Sequence, residues 1–188
     1  SLFPGNALVR ILFATLDPYP KPSMSKPPAR RFWLFKSEED VFSWADLWKA
    51  PRRTTFWDGI RNYQARNFLR DDLAPGDGVL YYHSRCPVVG IAGVAQVSKA
   101  ASPDPMQFDA DSKYFDPKSD PADPRWFGVH IQAQGALPTY LSLEALKANP
   151  KLKEMALVQR GQRLSIQPVT PAEWREVLRM GGYDGPGA

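Results

Sequence analysis

Three observations predict an α+β protein, a small curved sheet or bent β-barrel of five to six strands with flanking helices. Short β-prone segments recur along the chain. Capped helical segments stand between them without the regular strand–helix alternation of parallel βαβ proteins. The 188 residues, 43% of them hydrophobic, suffice for one packed domain. There is no run of about 18 apolar residues, which excludes a membrane-spanning helix of the usual kind. A single cysteine, Cys86, excludes an intramolecular disulfide framework and a multi-thiolate zinc site. Two histidines, His83 and His130, make a histidine-rich metal centre improbable. The composition fits a soluble protein of a reducing compartment.

Residues 1–30 read as a Pro-rich extension. They hold six of the nineteen prolines, which disfavour a helix and favour an extended path. Ala7–Leu16 is apolar but interrupted by Arg10, so it suits neither a span nor a signal peptide. The domain is expected to start near Met24 or Arg31, with the preceding residues dispensable, and to run to about residue 180.

The body reads in order as follows. Arg31–Lys36 is an aromatic-rich strand. Ser43, with Asp46 three residues on, caps a helix through Lys49, and Pro51 ends it. Thr54–Trp57 is β-prone and Asp58-Gly59 is a turn. Asn62–Arg70 has helical periodicity, with Tyr63, Arg66 and Arg70 near one face. Gly78–His83 and Val88–Val97 form a hairpin, where Gly90 and Gly93 suggest a bulge or a close approach. Residues 102–124 carry five prolines, six aspartates and two lysines, a long loop to be ordered by Phe108, Tyr114 and Phe115. Trp126–Leu137 returns to strand, Ser142–Ala148 and Leu152–Arg160 to helix, and Leu164–Pro168 to a short strand. Thr170-Pro-Ala-Glu173 is a capping box that opens a last helix. Gly181-Gly182 stops it, and the tail 181–188 is expected to fray. No internal repeat is visible.

No catalytic set can be assembled. His83, Ser84 and Cys86 are close in sequence, but successive strand residues point to opposite faces. Glu38, Glu39 and Asp40 precede a helix, where acidic side chains favour its N-terminus. The six aspartates of 102–124 lack the spacing of a calcium loop. No glycine-rich phosphate loop is present, so no nucleotide cofactor is expected, nor any metal or other cofactor.

Binding is better supported. Residues 1–30 carry a net charge of +3, leaving 20 basic and 19 acidic side chains in the body. The overall +4 is therefore no argument by itself; local clustering is. Lys49–Arg70 holds six basic residues against Asp58, and Lys147–Arg163 holds five against Glu154. Cations interleaved with Trp57, Tyr63 and Phe68 are what a nucleic-acid surface needs, since Lys and Arg hold phosphates and aromatics stack on bases.

Phe32–Asp40 (FWLFKSEED), Thr55–Asn67 (TFWDGIRNYQARN), Tyr82-His83-Ser84 followed by Gly90-Ile91-Ala92-Gly93, Lys113–Ser119 (KYFDPKS), Pro124-Arg125-Trp126 and Arg163–Val169 (RLSIQPV) together resemble the EVE domain. That family includes bacterial EVE proteins and the thymocyte nuclear protein family. The match runs in order from about Arg31 to Arg179. One departure is Glu39, where the family usually has proline. The resemblance implies a PUA-like fold, a bent β-barrel with flanking helices related to YTH domains. It also implies a non-catalytic reader of a modified base, a methylated or otherwise modified cytosine or an adenine, in DNA or RNA.

By the same resemblance, Lys36 and Ser37 meet the base edge, Trp57 stacks on the base and Asp58 accepts from an exocyclic amine. Asn62 stands at the head of the basic helix, Tyr82, His83 and Ser84 form a wall, and Arg163 and Ser165 close the rim. Tyr63, Tyr114 and Trp126 are candidates for a second cage aromatic. Arg53, Arg61, Arg66 and Arg70 are expected to serve phosphates. Any effector would be a separate protein, and no membrane partner is expected. The place of action would be cytoplasmic in a bacterium and nuclear in a eukaryote. The competing expectation is a small-molecule or nucleobase-binding, or protein-interaction, module using the same pocket.

Overall fold

The computed structural model describes residues 29–188, so the expectations for the extension up to residue 28 lie outside it. Aromatic and β-branched runs give strands β1 (Phe32–Glu38), β2 (Thr54–Trp57), β3 (Gly78–Ser84), β4 (Gly90–Pro103), β5 (Phe127–Ser142) and β6 (Ile166–Val169). They form one sheet in the order β2-β5-β4-β3-β1-β6. The expected bent sheet is there, but its hydrogen-bonded ladder stays open, with β2 and β6 as its two edges. The sheet is mixed. β1 pairs with β3 in parallel, Ser37 standing opposite His83, and every other pairing is antiparallel. The parallel pair was not expected. Its crossover passes through a helix, a strand and a second helix, a connection that no simple alternation reveals.

Among the described residues four α-helices flank the sheet: α1 (Trp44–Lys49), α2 (Tyr63–Asn67), α3 (Leu143–Ala148) and α4 (Pro171–Gly181). Ser43 and Thr170 each close the capping box that their spacing predicted. Asn62 caps α2, its side-chain oxygen accepting from the Ala65 N–H at 3.1 Å. A single π turn, Phe68–Asp72, continues α2. The helix expected over Leu152–Arg160 is instead two 3₁₀ turns, Pro150–Leu152 and Ala156–Val158, which bury Leu152, Met155 and Leu157. No helix among the described residues is long and apolar enough to cross a membrane.

Alternation along β1 and β3 splits the buried side chains between two cores. One holds Trp33, Phe35, Trp44, Leu47, Trp57 and Tyr81, together with Ala65 and Leu69 from α2 and its π turn. The other holds Leu34, Leu80, Tyr82, Ile91 and Leu141 under α3 and α4, with Trp174, Val177 and Leu178. Each fully buried aliphatic side chain contributes about 1.5–3 kcal/mol. Gly93 lets the first core close up: a Cβ there would sit 2.5 Å from the Trp44 ring.

The tail after α4 folds back on itself and on the body. Gly182 ends α4 in the left-handed conformation, and the Tyr183 hydroxyl donates to the Pro186 carbonyl at 2.8 Å. The Arg30 guanidinium donates to the Gly187 and Gly76 carbonyls and lies against the rings of Phe32 and Trp174. Arg30 thus joins the start of β1 to the segment after α4.

Candidate nucleic-acid interface

The site builds up around the ends of β1, β2 and β3. Trp57 closes β2 and turns into the first core, where its ring meets Phe35 (centroids 5.2 Å apart) and, edge-on, Tyr81 (5.6 Å). Tyr81 also touches Trp44 edge-on at 5.5 Å. Phe35, Trp44, Trp57 and Tyr81 thus form one aromatic cluster with polar atoms at its rim. The Tyr81 hydroxyl and Ser37 Oγ both donate to the Phe42 carbonyl, at 2.6 and 2.7 Å. Burial pushes the Tyr81 phenol well above its usual range, so it stays a donor. Ser84 Oγ donates to the Ser37 carbonyl at 3.0 Å, tying β3 to β1.

Trp57 is 8% exposed. It is a core residue with a limited edge toward solvent, not a free-standing stacking platform. Next to it, Asp58 is half-buried. Burial raises its carboxyl above the ordinary range and the nearby Asp104 adds to the rise, opposed by its own backbone N–H and by the charge of Arg61. A half-buried acceptor beside an aromatic cluster is the chemical feature of this site.

Alternation separates Lys36 from Ser37. Lys36 points away with Tyr82: its Nζ donates to the Gln162 carbonyl at 3.0 Å and lies 5.9 Å from the Tyr82 ring centre. Burial lowers the Lys36 pKa. Tyr82 packs in the second core, its phenol pushed up to about 12 by burial, so it does not share a wall with His83. His83 is on the Tyr81 side and is buried; its Nε2 accepts from the Trp44 N–H at 2.9 Å and its Nδ1 lies 3.6 Å from Glu39. Of the rim pair, Arg163 is exposed and the Ser165 carbonyl accepts from the Lys36 N–H at 2.8 Å. Tyr81 and the Phe42 carbonyl were missed; the period of two that links Tyr81 to His83 was the available signal.

The candidate second aromatics lie on one stack. The Tyr114 ring covers Gly59, directly after Asp58; a Cβ on that glycine would come within 2.8 Å of it, and Gly59 itself has φ +71°. Arg61 lies between the Tyr114 and Trp126 rings, 5.3 and 5.4 Å from their centres, and Tyr63 covers Trp126 at 5.0 Å. Trp126 is buried, its indole N–H donating to Asp116 at 2.7 Å, while Tyr63 is 54% exposed.

The Arg61 guanidinium is turned inward, donating to Asp104 at 2.7 Å and to the Tyr114 and Ile60 carbonyls. Asp104 is fully buried and also accepts from the Gly59 N–H, so Arg61 neutralises a carboxylate that could not otherwise be buried. Asp104 was read as one of six loop aspartates; it is the one that anchors the loop to the Trp57–Gly59 turn. Buried Gln107 completes the anchoring, holding the carbonyls of Asp104 and Trp126 and accepting from the N–H groups of Arg125 and Trp126. Of the other arginines, Arg66 donates to the Arg125 carbonyl and covers Tyr63, and Arg70 pairs with Asp71 at 2.7 Å. Arg53 is exposed.

Two open recesses, of about 460 and 290 Å³, flank Arg30 and Arg31 at the boundary with the undescribed residues. Neither includes a residue expected to touch a base, and the shape of those recesses carries less than the chemistry at Trp57 and Asp58. Among the described residues no group of three metal-ligating side chains occurs.

A mixed bent sheet flanked by helices, with aromatic, carboxylate and guanidinium groups at its rim, defines an α+β module. Residues 31–180 match the EVE domain, and the chain belongs to that family. It is 40% identical to human thymocyte nuclear protein 1 over 165 residues, 79% of this chain and 72% of the relative. A crystal structure of a Pseudomonas syringae protein superposes with a TM-score of 0.75 at 43% identity, covering 80% of this chain and 99% of the other. The human THYN1 protein in complex with 5-methylcytosine-containing DNA superposes equally well, at 0.75 and 38% identity, covering 82% and 99%.

Proposed function

We propose that this chain is a non-catalytic module that binds DNA or RNA and reads a modified base, methylated cytosine foremost. The observation that carries the reading is the Trp57–Asp58 step: a buried aromatic with its edge toward solvent, followed by a half-buried carboxylate whose pKa burial raises. A cytosine presents a ring face and an exocyclic N4 amine, and carboxylates accept from that amine. The likeness to the THYN1 protein in complex with 5-methylcytosine-containing DNA supports the same ligand class.

The energetics constrain how discrimination can work. Extruding a base from a duplex costs a few kcal/mol. Stacking returns about 1–3 kcal/mol, and burying one methyl group adds about 0.8 kcal/mol. A methyl transfer term alone is a few-fold preference, so the rest must come from shape and from Asp58 being satisfied only by the correct edge. Ser37 and Tyr81, held on the Phe42 carbonyl, would set the depth of the pocket. Exposed cations would hold the backbone, making affinity steeply salt-dependent.

The test is binding to short single-stranded and duplex oligonucleotides, each with one modified cytosine or adenine, at two salt concentrations. A modification-dependent gain that Asp58→Ala removes is expected. Uniform, salt-sensitive binding unaffected by Asp58→Ala would reject the reading, and saturable, salt-insensitive binding of a free nucleobase would replace it.

A further inference from the structure

We propose that Trp48 and Arg53 form a second contact for the bound strand, a stacking platform for a nucleotide a few positions along from the one in the pocket. The inference rests on the reading of the chain as a nucleic-acid binder, and it adds a site outside the pocket. Trp48 is 37% exposed at the end of α1, and the Arg53 guanidinium lies 3.7 Å from its ring centre. A planar cation on an exposed indole offers a base a broad face and a phosphate a charge at one place.

The backbone holds this geometry. Arg52 and Arg53 are consecutive non-glycine residues with φ of 54°, a region such residues seldom enter. The Arg52 carbonyl is pinned by Thr54 Oγ1 at 3.0 Å and by Gln132 Nε2 at 3.1 Å, and the Arg53 N–H donates to the Ala50 carbonyl at 2.7 Å. Among the described residues neither arginine makes an ion pair. Contrast Arg61 and Arg70, whose charges are answered by Asp104 and Asp71. The platform is also continuous with the site. Trp48 lies 6.1 Å from Trp44, Trp44 5.5 Å from Tyr81, and Tyr81 5.6 Å from Trp57. Along the chain, Arg53 precedes Trp57 by four residues, about 13 Å of extended backbone. That is about four nucleotides at the roughly 3.4 Å repeat of a stacked strand, and fewer when the strand is extended.

The platform therefore acts on strand affinity and not on base choice. The test titrates the full chain and its Trp48→Ala, Arg53→Ala and Arg53→Lys variants with three probes. These are an 11-nucleotide single strand with one central 5-methylcytosine, the unmethylated strand, and free 5-methyldeoxycytidine. Trp48→Ala and Arg53→Ala are expected to weaken both strands about tenfold, with the ratio between the strands and the nucleoside affinity unchanged. Arg53→Lys should keep the salt dependence and lose most of the stacking. Wild-type affinity in both alanine variants overturns the proposal, as does an equal loss with the nucleoside, which would mark a structural role. A wild-type protein that binds both strands alike overturns 5-methylcytosine as the base read, and the platform is still scored on the unmethylated strand. No binding of either strand overturns both.

Discussion

The two cores on either side of β1 and β3 are built differently. The core under α3 and α4 is mostly aliphatic, with Leu34, Leu80, Ile91, Leu141 and Leu152 filling it. The core on the other face packs Trp33, Phe35, Trp44, Trp57 and Tyr81, and it admits polar atoms at its rim: the Tyr81 hydroxyl, Ser37 and His83. Aliphatic side chains interdigitate tightly and leave nothing for a ligand to bond. Aromatic side chains bury as much surface while presenting flat faces and edge polarity. Under the proposed function, one face of the sheet serves stability alone and the other combines stability with recognition. Trp57 would then belong to both tasks, so its removal cannot be read as a binding defect alone.

Substitutions can break this contrast. The largest effect is expected from Trp57→Ala, about 3–5 kcal/mol of stability by denaturant unfolding, as for other buried aromatics. Trp57→Phe retains an aromatic filler and should bind modified strands more weakly at a much smaller loss of stability. If both variants lost only stability, Trp57 would be a core residue and nothing more. Next, Leu80→Ala in the aliphatic core should cost about 2–5 kcal/mol and leave the preference for modified over unmodified strands unchanged. A changed preference would show that the two cores are not separate in function. Ser43→Ala, which removes the cap of α1, should cost about 1 kcal/mol, readable as a lower Tm. The cap positions Trp44 and Trp48, so strand affinity should fall with it.

The smallest effect is a pH dependence confined to the aromatic side. Burial holds His83 below the usual histidine range, opposed by Glu39, and its Nε2 accepts from the Trp44 N–H. The unfolded chain takes up this proton near pH 6.5 and the folded one only at lower pH. Stability from this group is therefore complete above about pH 6.5 and falls as pH drops toward the folded value. Tm measured from pH 7.5 to 5 should decline less steeply in His83→Gln, and an unchanged slope would assign the acid sensitivity elsewhere.

Much of this was legible in the sequence because it is local. The Ser43-x-x-Asp46 and Thr170-x-x-Glu173 boxes, the helix that starts at Asn62 and the hairpin from Gly78 each depend on residues a few positions apart. The loop 102–124 was expected to be ordered by its aromatics, but Phe108 and Phe115 are exposed and buried Asp104 and Gln107 do the anchoring. What was not legible depends on long-range pairing or on burial. Six aspartates in 102–124 look alike until one of them, Asp104, meets Arg61 and the Gly59 N–H. The same meeting turns Arg61 from a surface cation into an internal one. Lys36 and Ser37 are adjacent in a motif, and only the strand geometry sends them to opposite faces. The parallel pairing of β1 with β3 is likewise set by tertiary packing and not by any signal within either strand.

The Arg30 clamp also bears on how the chain could be rewired. Because that side chain reaches Gly187 at 2.9 Å, the two ends of the described body are neighbours in space. Residue 188 could be joined to residue 29 through a short Gly/Ser bridge and new ends opened at an exposed turn such as 85–88, giving a circular permutant with the same sheet order. A partner domain fused to residue 29 or to residue 188 of this body would emerge from one region of the surface, so the choice of end would set the order of the fusion and hardly its geometry.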